Sequence, residues 1–188
     1  SARACGRRRD ISGACRPRRA SDTGEFFLRR RPAVLFICQC YNGIVTVTSE
    51  SLEETEQAAK EFVVGVAPGD RAVVVGLTGE LGSGKTAFVK GVAKALGVGE
   101  IVTSPTFVIE KIYKLDGQTF DHLIHIDAYR LEGAHELRAI GFEEIARKPK
   151  NLIFIEWPER VKEILPPQMA MIEFEVVNES TRTIRIKK

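Results

Sequence analysis

Beyond position 40 the sequence contains no cysteine, and before position 41 it contains no lysine. The first absence argues against a disulfide scaffold for most of the chain. The four cysteines present, Cys5, Cys15, Cys38 and Cys40, include only one close pair, Cys38-Gln39-Cys40. With no second pair at metal-ligand spacing, a zinc site is not expected. No apolar run reaches the length of a membrane-spanning helix, so no such span is expected. The guanine-reading pattern N-K-x-D is missing, which weighs against a GTPase. No internal repeat is visible. Tryptophan occurs once, as Trp157, and methionine only at Met169 and Met171.

What is present divides unevenly. The 188 residues suit one domain, with 44% hydrophobic and 28% charged residues, ordinary values for a globular chain. The net charge of +3 conceals two unlike parts. Residues 1–40 carry ten arginines against three acids, whereas residues 41–188 carry eighteen basic and twenty-two acidic residues. Three readings fit the arginine-rich segment: an organellar transit peptide, a basic arm for RNA, or an over-extended reading frame. We take residues 1–44 as an extension, dispensable for folding, and residues 45–188 as the domain, with a native start expected near Val45. Within the extension only Ala33–Cys38 reads as a short strand.

The domain's clearest signal is GELGSGKT, Gly79–Thr86. Its spacing is G-x-x-x-x-G-K-[ST], a loop whose glycines let backbone N–H groups converge on a phosphate. Lys85 then reaches the β- and γ-phosphates, and the Thr86 hydroxyl ligates Mg²⁺. The context agrees. Arg71–Thr78 is a β-branched run suited to a buried parallel strand, and Phe88, Val89, Val92 and Leu96 follow at helical spacing. The helix's positive N-terminal end adds to the same anion site.

Elsewhere, capping and periodic apolar faces begin at Ser51. Ser51 and Glu54 read as a capping box, opening a helix with Leu52, Ala59, Phe62, Val63 and Val66 on one face. The runs before and after Asp116-Gly117 alternate as a hairpin. Leu131–Arg147 reads as a helix interrupted near Gly141. Asn151–Trp157 is a second apolar run, and Pro158–Leu165 a short helix. Two final strands turn at Asn178–Ser180. The pattern predicts an α/β fold of the P-loop NTPase type, a three-layer sandwich. Its sheet is expected to be mixed, mainly parallel at the centre, with antiparallel hairpin strands.

Hydrolysis needs more than a phosphate loop. Glu156 ends the apolar strand of LIFIEW, where an α/β fold places a second metal-side acid. Asp127, closing HLIHID, is placed to orient the attacking water or hold a metal-bound one, or else to cap the next segment of chain. Arg130 either balances phosphate charge or pairs with an acid. His125 shares a face with Asp127 and is read as a packed residue. The hydroxyls of Thr103–Phe107 suit either a phosphate-sensing switch or an ordinary turn. A lone Trp157 is most simply a packing residue.

GELGSGKT, TSPTF, HIDAYRL and IEWPER, in this order and spacing, resemble the TsaE (YjeE) family of small bacterial ATPases. The likeness runs from about Thr46 to the C-terminus. It implies a cytoplasmic, Mg²⁺-dependent ATPase acting with TsaB and TsaD in threonylcarbamoyl-adenosine modification of tRNA. It also implies ATP contacts from Glu80, Leu81, Gly82, Ser83, Gly84, Lys85, Thr86, Thr106 and Trp157. Thr86 and Glu156 become the metal ligands, Asp127 the catalytic acid, with Lys85 and Glu156 completing the catalytic set. Residues from Ser51 to Thr55 are implied to lie near adenine. The competing readings are a nucleotide-gated binding module with little hydrolysis and a small-molecule P-loop kinase.

Overall fold

The computed structural model describes residues 39–41 and 44–187. The readings of the arginine-rich segment and of Ala33–Cys38 lie outside them. Eight strands form one sheet: β1 Gln39–Tyr41, β2 Ile44–Ser49, β3 Val73–Thr78, β4 Glu110–Lys114, β5 His122–Asp127, β6 Asn151–Glu156, β7 Ala170–Val176 and β8 Arg182–Lys187. The order across the sheet is β1-β2-β8-β7-β3-β6-β5-β4. The centre, β7-β3-β6-β5, is parallel, and the flanking pairs are antiparallel. This is the expected mixed architecture.

Helices cover both faces. On one side α1 (Leu52–Val64) and α2 (Lys85–Ala95) pack on Val75, Leu77, Leu123 and Phe154. On the other, α3 (Ala134–Ala139), α4 (Phe142–Ile145) and a 3-10 segment, Pro158–Ile164, cover Val74, Ile124, Ile126, Ile153 and Ile155. Both faces of β3 and β6 are therefore apolar, as a central parallel strand requires. The helix break falls at Gly141, which adopts φ 81°. The hairpin flanking Asp116-Gly117 and the final β7–β8 pair also form as expected.

Under α1 and α2, the rings of Phe62, Phe88, Phe154 and Phe174 meet at centroid distances of 5.6–6.2 Å for the closest pairs. Burying each ring contributes about 1.5–3 kcal/mol. The cluster ties α2 to the sheet, and so holds the glycine loop that precedes α2.

Three local expectations need correction. Organised structure begins before Ser51: β2 pairs in full with β8, with Val47 and Ser49 buried. Leu52 does not join the apolar face but is 56% exposed, while Thr55 and Ala58 are buried. The capping box is also shifted. Ser51 Oγ accepts the Glu54 N–H at 3.2 Å, but the Glu54 carboxylate accepts from Glu50 rather than from Ser51.

Glu110 on β4 is half-buried, and its Oε1 has no hydrogen-bond partner among the described residues. Burial raises its carboxyl above the usual glutamate range. A raised folded-state value means stability is greatest where the group is protonated and is lost as pH rises through that value. Glu110→Gln should therefore raise the melting temperature at pH 7 by about 1–3 °C, with the cost discounted for partial solvation. The gain should vanish at pH values below the ordinary glutamate range. A melting series in pH checks this, since an equal gain at every pH cannot come from the ionised carboxylate.

Candidate functional site

Three parallel strands deliver the site. In their register, Leu77 of β3 lies beside Glu156 of β6, and Glu156 beside Asp127 of β5. The chain leaving β3 becomes the glycine loop one residue later. The loop, Glu156 and Asp127 thus stand side by side at the carboxyl end of the sheet, where open α/β sheets form their crevices.

A cleft of about 280 Å³ opens there. Leu81, Gly82, Gly84, Lys85, Thr86, Thr106, Asp127, Glu156 and Trp157 line it, together with Ser104, Tyr129 and Ala87. Two residues implied for the site, Glu80 and Ser83, are absent from this wall. Ser83 is fully buried beneath the loop, and its hydroxyl has no partner among the described residues. Glu80 turns its carbonyl inward to accept a hydrogen bond from Lys85. Ser51 to Thr55 do not border the cleft; they cap and pack the start of α1.

The loop's shape depends on glycine. Gly79 adopts φ 137°, and a Cβ there would strike the Phe174 carbonyl oxygen. Gly84 caps α2 at φ 107°. Among the described residues, no acceptor pairs with the backbone N–H of Gly82, Gly84, Lys85 or Thr86. Orphan donors gathered at a helix N-terminus make an anion cradle. The donor set fits a chain of phosphates.

Lys85 is the cation inside this cradle. Its ammonium donates to the Gly79 and Glu80 carbonyls, each at 2.8 Å, and lies 4.2 Å from the centre of the Trp157 ring. Burial lowers its pKa below the usual lysine range, while Glu156, Asp127 and Glu159 act in the opposite direction.

Two carboxylates face the cation. Thr86 Oγ1 donates to Glu156 Oε1 at 2.7 Å, and His125 Nε2 meets the same oxygen at 2.8 Å. Thr86 and Glu156 therefore offer a hydroxyl and a carboxylate within one hydrogen-bond length, a hard-oxygen pair of the kind Mg²⁺ accepts. Asp127 accepts from the Tyr129 N–H through Oδ1 and from the Thr106 hydroxyl through Oδ2. Thr106 in turn shares a hydrogen bond with Ser104. The hydroxyl loop after α2 is thereby joined to the end of β5.

Other residues behave differently from the expectations placed on them. Arg130 neither enters the cleft nor pairs with an acid among the described residues; its guanidinium stacks 4.4 Å from the Phe107 ring. Trp157 is more than packing. It adopts φ 59°, donates its backbone N–H to Leu77, and sets its ring 5.2 Å from Tyr129. Tyr129 stands within HIDAYRL, two residues after Asp127, but no role was expected of it.

The family profile for the threonylcarbamoyl adenosine biosynthesis protein TsaE matches residues 49–184. The chain is 35% identical over 142 residues to a tRNA threonylcarbamoyladenosine biosynthesis protein TsaE of Rickettsia typhi, covering 75% of this chain and 93% of the relative. A protein of the same name from Bacillus subtilis is 38% identical over 132 residues, covering 70% and 78%. The crystal structure of Bacillus subtilis YdiB superposes with a TM-score of 0.62 at 29% identity, covering 76% of this chain and 84% of that one.

Proposed function

The chain belongs to the TsaE family, and from that membership in tRNA threonylcarbamoyladenosine biosynthesis we propose that it binds and hydrolyses ATP with Mg²⁺. Hydrolysis supports turnover of a TsaB–TsaD complex that modifies tRNA in the bacterial cytoplasm. The single observation that carries this reading is the convergence of the glycine loop, Lys85, Thr86, Glu156 and Asp127 on one cleft.

In the proposed mechanism the free N–H groups of Gly82, Gly84, Lys85 and Thr86 receive the phosphates. Lys85 exchanges its two carbonyl partners for phosphate oxygens, a charge-assisted bond in place of neutral ones. Thr86 and Glu156 would hold Mg²⁺, which when bound would neutralise phosphate charge. Asp127 orients the attacking water and takes its proton. In the resting arrangement both Asp127 oxygens already accept hydrogen bonds. Each oxygen keeps a second lone pair, so Oδ2 can accept from a water while Thr106 stays bound. We expect the protein alone to turn over slowly and its partners to raise the rate.

Steady-state hydrolysis with and without purified TsaB and TsaD tests the proposal. The expected result is a low rate alone and a rise of at least about tenfold with both partners, a barrier change near 1.4 kcal/mol. Tight ATP binding with no hydrolysis under either condition would favour a nucleotide-gated binding module instead.

A further inference from the structure

We infer that His125 is a positioning residue of the metal site, fixing which oxygen of Glu156 faces the cleft. The inference rests on the Mg²⁺ reading of Thr86 and Glu156 given above. His125 lies on β5 one rung below the site, beside Phe154 of β6 and on the same face as Asp127. Its side chain is wholly buried, that of Glu156 nearly so, and Nε2 stands 2.8 Å from Oε1. An ionised carboxylate only accepts hydrogen bonds, so Nε2 must carry the hydrogen.

The other ring nitrogen exposes the cost of this arrangement. Nδ1 is buried with no partner among the described residues. An unsatisfied buried polar atom costs about 1–3 kcal/mol, which an apolar side chain in the same layer would avoid. The neighbouring positions on this face, Leu123 and Phe154, are apolar and fully buried. Packing alone does not account for an imidazole here. The hydrogen bond to Glu156 does.

That bond has a directional consequence. Oε1 takes both the Thr86 hydroxyl and the His125 N–H. Among the described residues Oε2 accepts no hydrogen bond and is not among the buried unpartnered atoms, and Glu156 lines the cleft. Oε2 is therefore the oxygen presented to a cation. A hydroxyl ligating a cation through a lone pair would keep its O–H for Oε1, so Thr86 and His125 together would hold Oε1 inward, and of the two only His125 is not itself a proposed ligand. Partners that orient a metal ligand in this way commonly change metal affinity by ~10–100-fold when removed.

The test is the ratio of ATP affinity in excess Mg²⁺ to that in EDTA, measured by calorimetry. His125→Leu should lower this ratio by about tenfold or more while leaving the EDTA affinity unchanged. His125→Gln, whose amide nitrogen can reach the Nε2 position, should restore most of it. In a Glu156→Gln background, His125→Leu should cause no further loss. His125→Asn, too short to reach Oε1, serves if the leucine variant does not fold and should show the same selective loss. An unchanged ratio, or equal losses with and without Mg²⁺, overturns the positioning role. A native chain whose ATP affinity ignores Mg²⁺ instead overturns the metal-site reading itself.

Discussion

Asp127→Asn should bind ATP nearly as the native chain does, yet hydrolyse it some ~10²–10⁴-fold more slowly in the presence of TsaB and TsaD. Asparagine keeps an acceptor for the Tyr129 N–H, so the turn after β5 survives. It cannot accept a proton from water, and it weakens the hold on Thr106. Because the role is confined to the reacting state, kcat should fall with little change in KM. Single-turnover kinetics at saturating ATP separates this from slow product release. A native rate in the asparagine variant would remove Asp127 from the chemistry.

Lys85→Ala should act at the other stage. A hydrogen bond to a charged group is worth about 1.5–3 kcal/mol, so ATP affinity should fall by roughly tenfold to a hundredfold. The free protein should melt within about 3 °C of the native chain, because two opposing effects meet at this residue. The substitution removes a desolvated cation but also leaves the Gly79 and Glu80 carbonyls without their donor. Stabilisation by saturating ATP should shrink in step with the affinity. Differential scanning calorimetry with and without Mg²⁺-ATP measures both. A variant with undiminished ATP-dependent stabilisation would show that Lys85 does not contact phosphate.

The residues lining the cleft were legible where the loop's chemistry is local. Gly79, Gly84, Lys85 and Thr86 are bound to one another by spacing along the chain, and the flanking runs announce a strand and a helix. Glu156 and Asp127 were legible for a second reason: each closes an apolar run, and parallel strands bring their ends together. What spacing does not encode is which strands adjoin. The bond between His125 and Glu156 joins residues 31 apart and exists only because β5 neighbours β6. His125, read as a packed side chain, proved to be packed and also bonded to an acid of the site. Tyr129 enters the cleft wall only through the turn after β5 and through the unusual backbone of Trp157.

The strand β2, beside β8 in the sheet, was harder to see. IVTVTS of β2 alternates over only six residues and carries two threonines, so its buried face rests on Val47 and Ser49. Pairing with β8, the last strand of the chain, supplies what its own pattern lacks. At Leu52 the helical period placed an apolar residue on the inner face, but that side chain is exposed, and burial in α1 begins at Thr55. The strand β2 was missed, whereas α1 followed from its pattern and only its inner face was settled by tertiary contacts.

The central claim is that the cleft is a Mg²⁺-ATP site, and Trp157 reports on it directly. It is the sole tryptophan, its ring lies beside Lys85 and Tyr129, and its neighbour is Glu156. Titrating the native chain with ATP and, separately, with GTP in Mg²⁺ while following tryptophan emission is the decisive measurement. The account predicts a saturable change with ATP and a weaker response to GTP, consistent with the missing guanine-reading motif. An emission spectrum unmoved by saturating ATP, or a GTP affinity equal to or above that for ATP, would contradict it.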